Sequence, residues 1–240
     1  PKILLAQTYE EAIELYNQYK DYILGIITDV SFKREGQEDQ NAGYKLVQYI
    51  RSESKYIPIL IQSSKSENKE KAEAIGAYFL DKNSPTLIQD FHHFVLNHLG
   101  FGDFVFLLPK KKSKRKKSVL EEVHKETIEI ARASNMKEFE QQIQKVPLES
   151  IQFHADRNDF SNWLMGRCEF KLAMELRLKK VSDFTDLNEV RKHLVNVFNE
   201  SRKERQLGII TDFSQQKFEF DSSFTRIRGD SLGGKGRGIA

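Results

Sequence analysis

Two hundred and forty residues, 30% of them charged and summing to a net +3, are enough for two domains of ordinary size. No apolar run approaches the ~20 residues a membrane span requires, and no signal peptide is visible at the start. The single cysteine, Cys168, excludes an intramolecular disulfide and a cysteine-built zinc site, and it fits a reducing cytoplasm.

The first hundred residues alternate short apolar runs with amphipathic stretches. Lys2–Ala6 is an apolar run that reads as a strand, and Tyr9–Tyr19 places Ala12, Leu15, Tyr16 and Tyr19 at helical spacing. Tyr22–Thr28 reads as a buried strand ending at Asp29, followed by a long charged loop from Ser31 to Asn41. Ala42–Arg51 is a helix with Leu46, Val47 and Ile50 on one face, and Pro58–Gln62 is a strand ending at Ser63-Ser64. Asn68–Ile75 is a helix stopped by Gly76, Tyr78–Leu80 a strand ending at Asp81-Lys82, and Thr86–Leu99 a last helix. Repeated βα units imply a parallel sheet with helices on both faces. Polar residues at the carboxyl ends of such strands converge on one edge, where ligands bind.

Three strands end at Asp29, Ser63 and Lys82 in that order. The strings Ile26-Ile27-Thr28-Asp29-Val30, Pro58-Ile59-Leu60-Ile61-Gln62-Ser63-Ser64 and Gly76-Ala77-Tyr78-Phe79-Leu80-Asp81-Lys82 resemble the receiver domain of two-component response regulators. The resemblance implies a flavodoxin-like fold in which Asp29 accepts a phosphoryl group, Ser63 senses it, Lys82 pairs with it and Phe79 is a switching aromatic. Asp29 is then either a phosphoryl acceptor or its counterpart in a receiver that only docks. The chain departs from the family in having no acidic pair after a first strand to hold Mg²⁺. One helix, rather than two helices and a strand, separates Lys2–Ala6 from the strand ending at Asp29. Lys2–Ala6 is therefore expected to be the second strand of a receiver sheet that lacks its first, central one, and a start at Pro1 rather than Met agrees with that.

Beyond Gly100 the alternation stops. Phe104–Leu108 reads as a short strand leading into the run Lys110–Lys117, which carries +7 and leaves −4 for the rest of the chain. Without interleaved aromatics or a recognition helix, that run reads as a solvated linker, and nucleic acid is not an expected partner. Val119–Ser134 reads as loosely helical and Met136–Gln144 as a short helix. A longer helix is expected over Asp159–Leu178, with the stripe Phe160, Trp163, Leu164, Cys168, Leu172 and Leu176 buried, and another over Asp186–Leu207 capped by Gly208. His154, Asp156 and Asp159 read as a helix N-cap rather than a metal set. His93 and His98 are five apart, off the four-residue step of a zinc-binding helix face, and no metal ligands are assigned. Gly208-Ile209-Ile210-Thr211-Asp212 repeats Gly25-Ile26-Ile27-Thr28-Asp29 word for word and reads as a coincidental echo, and no Ser/His/Asp or Cys/His set stands out.

The last residues, Ser231 to Ala240, interleave four glycines with Lys235 and Arg237, a loop whose backbone N–H groups can approach an anion. Gly229, Gly234 and Lys235 satisfy the P-loop spacing, but Gly236 stands where a P-loop needs Ser or Thr. Asp230-Ser231-Leu232-Gly233-Gly234-Lys235-Gly236-Arg237-Gly238 instead resembles the opening of the ATP-grasp domain of phosphoenolpyruvate synthase and pyruvate phosphate dikinase. Phe101–Phe106, Phe153–Leu164 and Lys180–Phe184 are similar to strings of multidomain phosphoenolpyruvate synthase or PEP/pyruvate-binding proteins. That resemblance implies a receiver-like domain over 1–100, a linker over 101–118, an α-rich connector over 119–228 and the start of the ATP-grasp domain at 229–240. It further implies a cytoplasmic parent enzyme that uses ATP and Mg²⁺ to phosphorylate a histidine and then pyruvate. In that parent Gly233, Gly234, Lys235, Gly236 and Arg237 contact the ATP phosphates. The parent's remaining ATP-grasp, phosphohistidine and pyruvate-binding domains are the expected partners, and the receiver resemblance adds a sensor kinase as a candidate. The 240 residues themselves are expected to be catalytically inert and to bind no cofactor. The alternative is a response regulator whose α-rich output binds protein or nucleic acid.

Overall fold

The structure, a computed structural model, describes residues 2–110 and 127–211, the last six of these as helical backbone alone. The chain divides into two compact units, 1–202 and 203–240. Described residues of the second unit, 203–211, continue a helix that begins at Leu187.

The first unit is mixed α/β with a small parallel sheet. Helix α1 (Tyr9–Tyr19) is started by Thr8, whose hydroxyl accepts the Glu11 amide at 3.2 Å while the Glu11 carboxylate takes the Gln7 amide at 2.7 Å. Strand β1 (Ile26–Asp29) follows, then a hairpin of β2 (Phe32–Arg34) and β3 (Gln37–Asp39), then helix α2 (Ala42–Glu53). Next come β4 (Ile59–Ser63), α3 (Asn68–Ala74), β5 (Tyr78–Asp81) and α4 (Leu87–His98). The three strands β1, β4 and β5 pair in parallel in the order β1-β4-β5, with Asp29 opposite Gln62 and Ser63 opposite Asp81.

Alternation along β4 and β5 builds two cores. Ile59, Ile61 and Phe79 face Tyr16, Val47, Ile50 and Ala72 from α1, α2 and α3. Leu60 and Leu80 face the opposite way, toward Phe94 of α4. Arg51 ties the near ends of these elements together, donating to the carbonyls of Ile57 and Gly76, each at 2.8 Å. Burial holds its guanidinium below the usual range, at about 10.

Two readings of this half are corrected. Lys2–Ala6 is not a strand: among the described residues no strand pairs with it, and Ile3 and Leu5 are 83% and 80% exposed. An apolar run becomes a strand only against a neighbour that takes its backbone hydrogen bonds. The segment Ser31–Asn41 is not an open loop but the β2–β3 hairpin. Its turn is Glu35-Gly36, both left-handed at φ 52° and 78°, the two-residue geometry that matches strand twist. The hairpin is seated on α1, with Arg34 over the Tyr9 ring at 5.1 Å and the Glu35 amide on Glu10 at 3.0 Å.

The rest of the first unit surrounds an aromatic core. Strands β6 (Phe104–Pro109) and β7 (Thr127–Ala133) pair antiparallel, and helices α5 (Met136–Lys145), α6 (Leu148–Asp156), α7 (Asp159–Gly166), α8 (Phe170–Arg177) and α9 (Leu187–Thr211) follow. Phe104 and Phe106 point inward from β6 onto Phe139, Phe160 and Trp163. Phe104–Leu108, read as a short strand within the 101–118 linker, is the strand β6, and its Phe104 and Phe106 are part of this core. Val119–Ser134, read as loosely helical, contains β7. Exposed Ile128 and Glu129 are neighbours and Glu129 and Arg132 are three apart, so no clean period-two alternation marks it as a strand in the sequence.

The helix expected over Asp159–Leu178 is broken into α7 and α8. Cys168 sits at the break with φ 62° and is exposed, so its place on the apolar stripe is also corrected. Helix α9 runs through Gly208 to Thr211 rather than stopping there. Polar and apolar contacts join the two halves of this unit, Leu24 packing against the aromatic core. Arg177 donates to the Asp21 carbonyl at 2.7 Å and to Ser161 at 3.1 Å, and Arg157 lies 4.9 Å above both Tyr56 and Phe153.

Candidate functional site

The carboxyl ends of the three parallel strands bring together Asp29 and Lys82. The Lys82 ammonium lies 2.5 Å from Asp29 Oδ1, across the width of β4. Local structure explains the placement. Lys82 continues the β4–β5 ladder by one residue, its amide donating to the Ser63 carbonyl at 2.8 Å. Asn83 then donates from its side chain to the Ser64 carbonyl at 2.9 Å, joining the loops that follow the two strands. On the other side, α2 packs its first turn against Asp29, with the Gly43 amide donating to the Val30 carbonyl at 2.9 Å.

Both side chains of the ion pair are open to solvent, Asp29 at 43% and Lys82 at 40%. An exposed pair of this kind contributes little to stability. The pair sets a carboxylate oxygen against an ammonium at the carboxyl edge of the parallel sheet.

Ser63 ends β4 between them and is buried, 8% exposed. Its hydroxyl oxygen accepts from the Lys65 amide at 3.1 Å and from Asn68 Nδ2 at 2.9 Å. Phe79 is opposite Ile61 in register and half-buried in the core beneath α1 to α3. The structure therefore joins Asp29 with Lys82, sets Ser63 on the strand between them, and places Phe79 in the packing behind. Asn68 is the residue the sequence reading missed. A buried asparagine in the first turn of a helix otherwise made of Lys, Glu and Ala is the signal that could have found it.

Receiver resemblance implies Mg²⁺ at such an edge, and the residues present do not fit it. Asp29 is already against a lysine, and the Asp81 carboxylate accepts the Asn83 amide at 2.9 Å. Among the described residues no three His, Cys, Asp or Glu side chains are grouped so as to hold a metal ion. Gly233, Gly234, Lys235, Gly236 and Arg237, together with Asp212, lie outside the described residues, as does most of the basic run.

His154 and His98 have structural partners. His154, read with Asp159 as a helix cap, instead spans two elements: Nδ1 is 2.7 Å from Asp159, and Nε2 accepts the Leu107 amide at 2.8 Å, beside the irregularity in β6–β7 pairing. The residue preceding α7 is Asn158, left-handed at φ 59° and making no side-chain cap. His98 stacks on Tyr78, its Nδ1 3.0 Å from the phenol oxygen.

Burial, helped by His93 and Arg157 and opposed by Asp159, holds the His98 imidazole down to about 4. The unfolded chain binds that proton more readily, so the stability this group supplies is full above its ordinary value of 6.5 and is lost as pH falls toward 4. Urea unfolding at pH 7 and pH 4.5 should show the His98→Gln chain losing less stability on acidification than the parent. Equal losses would remove His98 from the acid response.

Residues 118–228 match the model of a family described as a family of unknown function (DUF5752). No curated protein and no solved structure matches the chain. No described helix is long and apolar enough to cross a membrane.

Proposed function

We propose that residues 1–100 form a receiver-like regulatory domain whose Asp29 accepts a phosphoryl group. In this reading the connector that follows links it to the ATP-grasp domain of a phosphoenolpyruvate synthase-like enzyme. The observation that carries the first part is the Asp29–Lys82 ion pair at the carboxyl ends of the two outer strands of the parallel sheet, with buried Ser63 on the strand between. The second part rests on the resemblance of the connector strings and of Asp230–Gly238 to that enzyme family. There Lys235, assisted by Arg237, would contact ATP phosphates.

The chemistry at Asp29 is a direct transfer. A carboxylate oxygen attacks the phosphorus of a small phosphoryl donor, and the bond from phosphorus to the donor's leaving group breaks. That group departs with the bonding electrons, leaving an aspartyl phosphate. Lys82 faces the charge that gathers on the transferred oxygens. No step passes through a metal, because the residues at this edge do not make a site for one.

Phosphoramidate, whose leaving group is ammonia, tests the reading. Incubation should add one phosphoryl group by intact mass, labile to hydroxylamine, and Asp29→Asn should abolish it. Lys82→Ala should slow labelling about tenfold or more, as expected for removing a charge-assisted contact, while leaving the melting temperature unchanged. Absence of label, or label retained in Asp29→Asn, would overturn the proposal.

A further inference from the structure

Ser63 uses its hydroxyl in an incomplete way. The oxygen has two acceptor positions and one proton. Both acceptor positions are taken, by the Lys65 amide at 3.1 Å and by Asn68 Nδ2 at 2.9 Å. Among the described residues nothing accepts the proton, although Ser63 is only 8% exposed. A buried donor without an acceptor is costly.

Asn68 is just as buried, 7% exposed, in a helix whose neighbouring residues Lys69, Glu70 and Lys71 face solvent. Asparagine is a poor helix former, and this one does not cap: α3 begins without a side-chain cap. Its side-chain amide donates to Ser63. With both lone pairs of the Ser63 oxygen occupied by N–H groups, the hydroxyl is left to act as a donor.

We infer that Asn68 is a positioning residue that holds the Ser63 hydroxyl as a hydrogen-bond donor to an anionic oxygen at the Asp29–Lys82 edge. The inference rests on the phosphoacceptor reading above and adds to it. Asn68 sets the polarity of Ser63 before any phosphoryl group arrives, so the edge is prepared for an anion. The proton of Ser63 meets its acceptor on a phosphoryl oxygen bound at Asp29.

The test is a double-mutant cycle on the whole chain, with phosphoramidate labelling of Asp29 as the readout. Ser63→Ala should slow labelling about tenfold. Asn68→Leu, which removes the amide donor, should slow it to a similar extent. So should Asn68→Asp, which keeps the volume but offers an acceptor that takes the Ser63 proton. In a Ser63→Ala background neither Asn68 change should slow labelling further, because its effect passes through Ser63. Circular-dichroism melts identify the variants that fold; Asn68→Asp, nearly isosteric, serves if Asn68→Leu does not. Labelling of the Asn68 variants at the parental rate, or an equal further loss with Ser63 already removed, would overturn the inference and leave the phosphoacceptor reading standing. Failure of the parental chain to label at all would overturn both.

Discussion

Gly43→Ala should cost the protein about 3 kcal/mol or more and should disturb Asp29 directly. Gly43 lies in the first turn of α2, where alanine is intrinsically the better residue by roughly 1 kcal/mol. Packing reverses that preference. A β-carbon at this position would sit 2.0 Å from the Asp29 carbonyl oxygen and 3.1 Å from the Val30 Cα. Both obstacles are backbone, held by the β1–β4 ladder on one side and by the Gly43 amide bond to Val30 on the other. No side chain can swing aside, so either α2 lifts from the sheet or the end of β1 moves. Urea unfolding gives the stability change, and phosphoramidate labelling reports the displacement of Asp29. A Gly43→Ala chain as stable as the parent would show that α2 can slide freely on the sheet.

Trp163→Ala should destabilise the other core by about 3–5 kcal/mol, the usual cost of truncating a fully buried aromatic. Trp163 is 1% exposed, stacks on Phe139 at 4.4 Å and meets Phe104 edge-on at 5.9 Å. Its indole N–H donates to the Gly102 carbonyl at 3.0 Å, and the Arg167 guanidinium lies 3.5 Å from its ring centre. Truncation opens a cavity among rings that cannot collapse together and takes a donor from Gly102. It also leaves Arg167, which bonds the Gly100 and Gly102 carbonyls at 3.1 Å and 2.9 Å, without its platform. Trp163→Phe keeps most of the apolar contact and should lose less. Because Trp163 is the sole tryptophan, unfolding is followed by circular dichroism rather than fluorescence. A loss below about 1 kcal/mol for Trp163→Ala would mean the core repacks around the gap.

Local rules carried the sequence reading furthest where one element is decided by its own residues. Tyr9–Tyr19 and Met136–Gln144 were legible because apolar residues recur there at helical spacing, and the structure adds the caps Thr8 and Asn135. β4 was legible because a short apolar run between turn residues has little alternative as a strand. The order of Asp29, Ser63 and Lys82 was legible for the same reason, since each directly ends or follows such a run.

Residues whose state depends on distant partners were not legible. β7 is polar enough to read as helix and is held as a strand by pairing with β6 across the basic segment. Lys2–Ala6 is apolar enough to read as a strand and is not one, because among the described residues no strand pairs with it. The break at Cys168 depends on a left-handed backbone that no residue there advertises, since such a conformation ordinarily favours glycine.

Composition and periodicity therefore determined the α/β alternation of the first hundred residues, the helical character of the later ones and the residues at the strand ends. Tertiary structure alone decided that Asp29 and Lys82 meet, that the Asn68 side chain reaches Ser63, and that Gly43 must lack a side chain. The physical reason is range. Helix and strand preferences are set within a few residues by backbone sterics and side-chain spacing. A site instead depends on side chains brought together from separate strands and helices, and those distances exist only once the sheet has paired and the helices have packed on it.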